Sequence, residues 1–296
     1  MAYVAFDLDN TLGFFGLTNK LGNLWSKEAI SNPEQSTGPV RISRKLEIKL
    51  ARARECFAKA LLKDNILFTV LRPNLDAMIL PLLEAKRKRK LKSVIIYSNT
   101  GSDYSMELAK YLIEEHYKCR GFFNLMANHW HPLRADDHRD AVPGKYVEPH
   151  KTIQTLQKLF KRATYEKGPV PPSNILFVDD RYPKHDLKAQ EPEGLTYLVP
   201  SRFVPPLEGR QSNYLLFLAI NALNEQGLLS SDEYLSSPFC NRNLIYDFTR
   251  HIKIRGIGDL IDYIGVEMNN EEAPERSWRS DTAHIKDVME TFLQEI

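Results

Sequence analysis

Cysteine is scarce. Cys56, Cys119 and Cys240 are the three in 296 residues; they lie far apart and form no CxxC pair. An odd, sparse set argues against a disulfide framework and fits a reducing compartment, so the chain is expected to be intracellular, cytoplasmic or nuclear. No apolar run approaches the length of a membrane span, and no membrane partner is expected. The first residues carry no basic region followed by a long apolar stretch, so a secretory signal is not expected and the mature chain should start where the sequence does. Neither sign of charge dominates: 40 Lys plus Arg against 38 Asp plus Glu leave +2, too little to draw nucleic acid by overall attraction. There is no internal repeat. What remains is a composition ordinary for a folded soluble chain, 43% hydrophobic and 26% charged, long enough to bury a sizeable core.

Three short apolar runs organise the chain. Tyr3-Val4-Ala5-Phe6 ends in Asp7, Ser93-Val94-Ile95-Ile96-Tyr97 ends in Ser98-Asn99-Thr100-Gly101, and Asn174-Ile175-Leu176-Phe177-Val178 ends in Asp179-Asp180. Continuous apolar runs of this length suit buried parallel strands. Helical patterns separate them: Leu75, Met78, Ile79 and Leu82 behind a capping Asn74; Met106, Ala109, Leu112 and Ile113 behind Ser102 or Asp103; and Ile153, Leu156 and Phe160 from about His150. The alternation predicts an α/β fold with a doubly wound parallel sheet. Ligands bind outside the carboxyl ends of the strands in such sheets, so all three polar clusters are expected at one crevice.

Residues 13–64 form an insertion after the first strand, irregular around Pro33 and Pro39 and then helical over 42–63, where Leu46, Leu50, Ala53, Phe57 and Leu61 recur at steps of four and three. It is expected to act as a lid or small cap. The stretch 128–149 is polar and reads as a surface loop. After a Pro-rich 199–206, a helix over 212–224 is apolar nearly all round and expected to be buried; 227–296 reads as irregular with several short helices. The expected organisation is a core of 1–206 and a helical extension of 207–296.

Asp7-Leu8-Asp9-Asn10-Thr11-Leu12 carries the most chemistry. Carboxylates at i and i+2 past a buried strand face the same opening. One can capture a phosphoryl group covalently, splitting hydrolysis into two easier displacements. The other can protonate the leaving oxygen and then activate water, which makes Asp9 the candidate acid/base.

Phe6-Asp7-Leu8-Asp9-Asn10-Thr11-Leu12 resembles the first signature, DxDxT, of the haloacid-dehalogenase (HAD) superfamily. Ser98 after its strand, Lys151 at the start of a helix and Asp179-Asp180 after a strand resemble the second, third and fourth, in order, over about residues 1–200. The resemblance implies an Mg²⁺-dependent phosphatase acting on a phosphorylated substrate. It implies Asp7 as nucleophile and Asp9 as acid/base, with the Asp9 backbone carbonyl also on the metal. Thr11 would support the loop; Ser98 and nearby groups such as Asn99 would bind the phosphate; Lys151 would neutralise the nucleophile and the transferring group. Asp7, Asp179 and Asp180 would complete an all-oxygen magnesium site. Asp9, where dehalogenases and phosphonatases differ, favours a phosphate ester. Leu71-Arg72-Pro73, the irregular insertion between the second and third motifs, and no obvious large cap after the second resemble the branch of RNA polymerase II C-terminal-domain phosphatases and NLI-interacting-factor-like proteins.

Several residues keep two readings. Lys145 rivals Lys151. His129, His131 and His138 with Asp136, Asp137 and Asp140 offer zinc-compatible ligands, but their spacing matches no structural-zinc pattern, and a polar loop is the simpler account. The run 86–92 is a helix C-terminus favoured by the macrodipole, or a nuclear address or nucleic-acid patch. Arg181 either pairs with Asp180 or touches substrate, and His185 is either a supporting or a surface group. The rival functions are a nucleotidase or sugar phosphatase, a nucleic-acid-end phosphatase, and a scaffold that keeps the fold without turnover.

Overall fold

The computed structural model describes residues 1–22, 24–25, 42–63, 67–138, 150–180, 187, 194–201, 203, 208–237, 240 and 277–296. Lys145, Asp140, Arg181 and His185, as well as Pro33 and Pro39, lie outside the described residues. In chain order the elements are β1 (Ala2–Phe6), α1 (Gly16–Gly22), α2 (Arg44–Leu61), α3 (Leu67–Val70), α4 (Asp76–Arg87), β2 (Leu91–Tyr97), α5 (Asp103–His116) and β3 (Leu125–Ala127). A 3-10 turn (Pro132–His138), α6 (Ile153–Thr164), β4 (Ile175–Val178), β5 (Thr196–Leu198), α7 (Glu208–Glu225), α8 (Asp232–Leu235) and α9 (Ser277–Glu295) follow.

The five strands form one sheet in the order β3-β2-β1-β4-β5, and every pairing is parallel. The three apolar runs are its centre. β3 and β5, three residues each, were not anticipated, because so short a run has no period to read. The chain winds outward from β1 through β2 to β3 and then crosses to the other side of β1 for β4 and β5, so strand order reverses at β1/β4. That reversal is where an open α/β sheet gapes at its carboxyl edge.

Side-chain alternation divides the sheet's two faces. Tyr3, Ala5, Ile95, Tyr97, Ile175 and Phe177 share a buried cluster with Leu156, Leu159 and Phe160 of α6. The intervening Val4, Phe6, Val94, Ile96, Leu176 and Val178 are equally buried, as a sheet covered on both faces requires. α6 begins at Ile153, capped by Thr152, whose side chain accepts from Thr155 N–H, and Ser102 caps α5 by accepting from Ser105 N–H. Asn74 is not the cap expected of it: α4 starts at Asp76 with no side-chain cap, and the Asn74 amide serves Arg72 and Thr282 instead. The basic run closes α4, with Lys86 and Arg87 in its last turn and Lys88 at the C-cap, before Leu91 and Lys92 enter β2.

The chain divides into two compact units, each assembled from separated stretches of sequence. The first comprises 1–15, 70–204 and 275–296; the second comprises 16–69 and 205–274. The insertion after β1 and most of the expected extension thus belong to one body, while the last helix belongs with the sheet. Within the first unit α9 packs on α4 and touches β5, burying Ile285, Met289, Phe292 and Leu293. It is a single 19-residue helix where short ones were expected. Within the second unit α2 packs on α7 through the predicted stripe Leu46, Leu50, Ala53, Phe57 and Leu61, and Ser43 caps it. The Tyr234 hydroxyl donates to the Leu24 carbonyl, and Trp25 lies 5.2 Å from the Phe57 ring centroid. Over the part of α7 whose side chains are described, Leu215, Ala219, Ile220, Ala222 and Leu223 are buried, whereas Leu216, Phe217 and Leu218 are half-buried.

Candidate functional site

The residue after each central strand extends the ladder by one bond. Asp7 N–H donates to Val178 O at 2.8 Å, Asp179 N–H to Leu198 O at 3.1 Å and Ser98 N–H to Ala127 O at 3.0 Å. Asp7, Ser98 and Asp179 are thereby fixed along one edge. Counting on by two from Ala5 and Phe177 puts Asp7 and Asp179 on the α6 face of the sheet. Lys151 stands at the head of α6, just before its Thr152 cap, and its Nζ donates at 2.7 Å to both Asp7 Oδ1 and Asp179 Oδ2. All three side chains are buried, Lys151 and Asp179 almost completely. A buried ammonium is tolerated only with its charge and donors met, and two carboxylates meet them here. Phe177 and Tyr97 add ring faces 5.2 and 5.9 Å from Nζ.

Asp180 joins by way of Thr11. Its N–H donates to Thr11 Oγ1 at 2.9 Å, and that hydroxyl lies 3.4 Å from Asp180 Oδ1. Oxygens of Asp7, Asp179 and Asp180 fall within 4.8 Å of one another, the only such group of three or more potential ligands among the described residues. An all-carboxylate set suits a hard, oxygen-seeking cation, and Lys151 contributes one positive charge against three negative ones; the residues present fit Mg²⁺. The His129–Asp140 stretch forms no such group among its described members.

The loop after β1 is held tightly. Asn10 takes a positive φ of 60°, tolerated by Asn, and its N–H donates to Gly13 O at 2.6 Å. A Cβ at Gly13 would collide with the Val70 carbonyl oxygen, so only glycine allows that approach. Asp9 is half-buried, its Oδ1 accepts from Phe15 N–H at 3.2 Å, and it is not a member of the three-oxygen group. Arg72, fully buried, clamps the loop from behind: Nε donates to Thr11 O at 2.9 Å, and Nη2 donates to Asn10 O at 2.8 Å and to Ser201 O. Burial lowers its guanidinium to about 10, with Asp281 and Asp180 pulling the other way, so it is charged at neutral pH. Asp281 of α9 lies 3.6 Å from Nη1 and accepts from Ser201 N–H at 2.7 Å.

On the β2 side, Ser98 Oγ accepts from Thr100 N–H at 3.3 Å, leaving the hydroxyl proton for another acceptor. Asn99 Oδ1 accepts from Arg134 Nη2 at 2.5 Å. Arg134 and Asp137 correct the expected surface loop: both are buried, their mutual bond is 2.7 Å, and Asp137 also accepts from the Tyr97 hydroxyl at 2.7 Å. Burial, and then the Asp137 charge, hold the Tyr97 hydroxyl well above its ordinary value, so it stays protonated and donating. Their i,i+3 spacing was visible in sequence, but the surrounding polar residues disguised it.

The structure thus gathers Asp7, Asp179, Asp180, Lys151 and Thr11 directly, places Ser98 and Asn99 at the same edge of the sheet, and leaves Arg181 outside the described residues. Three comparisons, with protein-family models, with curated proteins and with solved structures, find no match to this chain.

Proposed function

We propose that the chain is an Mg²⁺-dependent phosphohydrolase of the HAD type that cleaves a phosphate monoester through a phosphoryl group carried on Asp7. The observation that carries the reading is Lys151 bridging Asp7 and Asp179 at the strand-order reversal, with Asp180 close enough to complete a cation site. Asp7, Asp179 and Asp180 would hold Mg²⁺, which would offset the negative charge of the carboxylates and phosphate and polarise the phosphoryl oxygens. A carboxylate oxygen of Asp7 attacks phosphorus as the bond to the leaving oxygen breaks, and Asp9 supplies that oxygen's proton. In the second half Asp9 takes a proton from water, the water oxygen attacks phosphorus, and the Asp7–phosphorus bond breaks to free inorganic phosphate. Lys151, the Ser98 hydroxyl and the Asn99 amide neutralise or donate to the equatorial oxygens as charge spreads over them.

The resemblance to C-terminal-domain phosphatases makes a phosphoprotein the first substrate to try. Of the features behind it, Arg72 has a structural use in clamping the 10–13 loop, so it speaks for the loop rather than for the substrate. The expected result is Mg²⁺-dependent release of phosphate from p-nitrophenyl phosphate. Asp7→Asn should abolish it, and Ca²⁺, with its looser coordination, should inhibit it. A panel of phosphopeptides, nucleotides, sugar phosphates and nucleic-acid ends then ranks substrates. Pure, folded protein that releases no phosphate from any of them with Mg²⁺ would favour the scaffold instead.

A further inference from the structure

The polar stretch between β3 and α6 contains a charge with nowhere to go but inward. Arg134 is fully buried, and its guanidinium is spent on four groups: Nε on Asp137 Oδ2 at 2.7 Å, Nη1 on Ser98 O and on Asn128 O at 3.1 Å, and Nη2 on Asn99 Oδ1 at 2.5 Å. Its Cζ lies over the Tyr97 ring, 4.7 Å from the centroid. Two of those acceptors belong to the residues that the phosphatase reading sets against the phosphoryl group. Asp137, in turn, accepts from the Thr152 and Thr155 hydroxyls at 3.0 and 2.7 Å, and Thr152 N–H donates to the Tyr97 hydroxyl at 3.0 Å. Thr152 directly follows Lys151. One continuous network therefore ties the loop after β2 to the backbone that carries the lysine.

A primary amide has one acceptor end and one donor end. Because Arg134, which only donates, holds the oxygen of Asn99, the amide can be oriented in one way: Nδ2 and its hydrogens face away from the guanidinium. Resting on the phosphatase reading, we infer that Arg134 is a positioning residue for the site. It turns Asn99 so that Nδ2–H donates to an oxygen of the bound phosphoryl group, and through Asp137 and Thr152 it keeps Lys151 in register with that donor. The fork of the guanidinium reaches Ser98 O and Asn99 Oδ1 together, which a lysine's single point charge cannot do.

Calorimetric titration of inorganic phosphate into the full-length chain with Mg²⁺ tests this, with thermal unfolding measured in parallel. Asn99→Asp keeps an acceptor for Arg134 but replaces the donor with a negative charge; Tm should hold while phosphate affinity falls about tenfold or more. Arg134→Lys should lower both Tm and phosphate affinity, the latter by about tenfold. The double variant Arg134→Lys/Asn99→Ala should bind phosphate no worse than Arg134→Lys alone, since the arginine acts through the amide. Additive losses, a folded Arg134→Lys chain with wild-type phosphate affinity, or undiminished affinity in Asn99→Asp would each overturn the inference. The Asn99→Asp arm decides alone if Arg134→Lys fails to fold. Wild-type protein that does not bind phosphate would instead sink the phosphatase reading, and this inference with it.

Discussion

Asp7 and Asp179 meet the same lysine because a strand has a period of two. Each follows a strand whose odd-numbered residues face α6, so each inherits that face, and Lys151 waits at the head of α6. The same period puts Tyr97 on that face, where it joins the Arg134–Asp137 pair to Thr152. Tyr97→Phe removes the bond to Asp137 and orphans the Thr152 N–H, and is expected to cost about 1–3 kcal/mol in urea unfolding at neutral pH. Because the folded-state Tyr97 value is raised above 10.0, the native chain holds this proton more tightly than the unfolded one. Its contribution is therefore complete below pH 10 and lost as pH rises toward the raised value, so the wild type should lose stability more steeply above pH 10 than Tyr97→Phe. Parallel slopes in the two proteins would contradict the assignment. Much of this scale was legible in the sequence: the acidic residues announced themselves by following apolar runs, and Lys151 by its place just before the helix that leads into β4. Arg134 and Asp137 were not, because a buried ion pair inside a polar segment looks the same as a solvated one until the fold is known.

Among the elements, the last helix does the least expected work. Ile285, Met289, Phe292 and Leu293 bury one face of α9, and Asp281 reaches the arginine that clamps the 10–13 loop. Helical spacing in those four residues was there to be read, but the polar and charged residues interspersed among them masked it. Asp281→Ala is expected to lower stability by about 1–3 kcal/mol and to slow turnover by loosening the Arg72 clamp. Unchanged Tm and unchanged kcat would show that the clamp stands without α9. The strands themselves illustrate the opposite limit. β1, β2 and β4 are apolar throughout and were readable as buried, whereas β3 and β5 exist because the ladder beside them offers unpaired groups, a tertiary cause that local sequence does not carry.

The molecule as a whole is built by a chain that leaves its first unit after residue 15, returns at 70, leaves again after 204 and returns at 275. Sequence punctuation marked the Pro-rich stretch near 206 as a boundary, yet it cannot show that the chain comes back. A chain stopped at 206 would lack the apolar face of α9 and the Asp281 partner of Arg72, and is expected to be poorly folded, with a broadened or absent thermal transition. A sharp transition in that fragment would argue that α9 is dispensable.

The central claim, that Asp7 takes up the phosphoryl group, is open to direct measurement in an Asp9→Asn chain, whose attack on phosphorus should outlast its ability to activate water. Incubated with Mg²⁺ and p-nitrophenyl phosphate, quenched in acid and digested, it is expected to yield a hydroxylamine-labile phosphoryl group on the peptide containing Asp7, absent from Asp7→Asn. Turnover by the wild type with no such adduct at Asp7, or an adduct on another residue, would contradict the account.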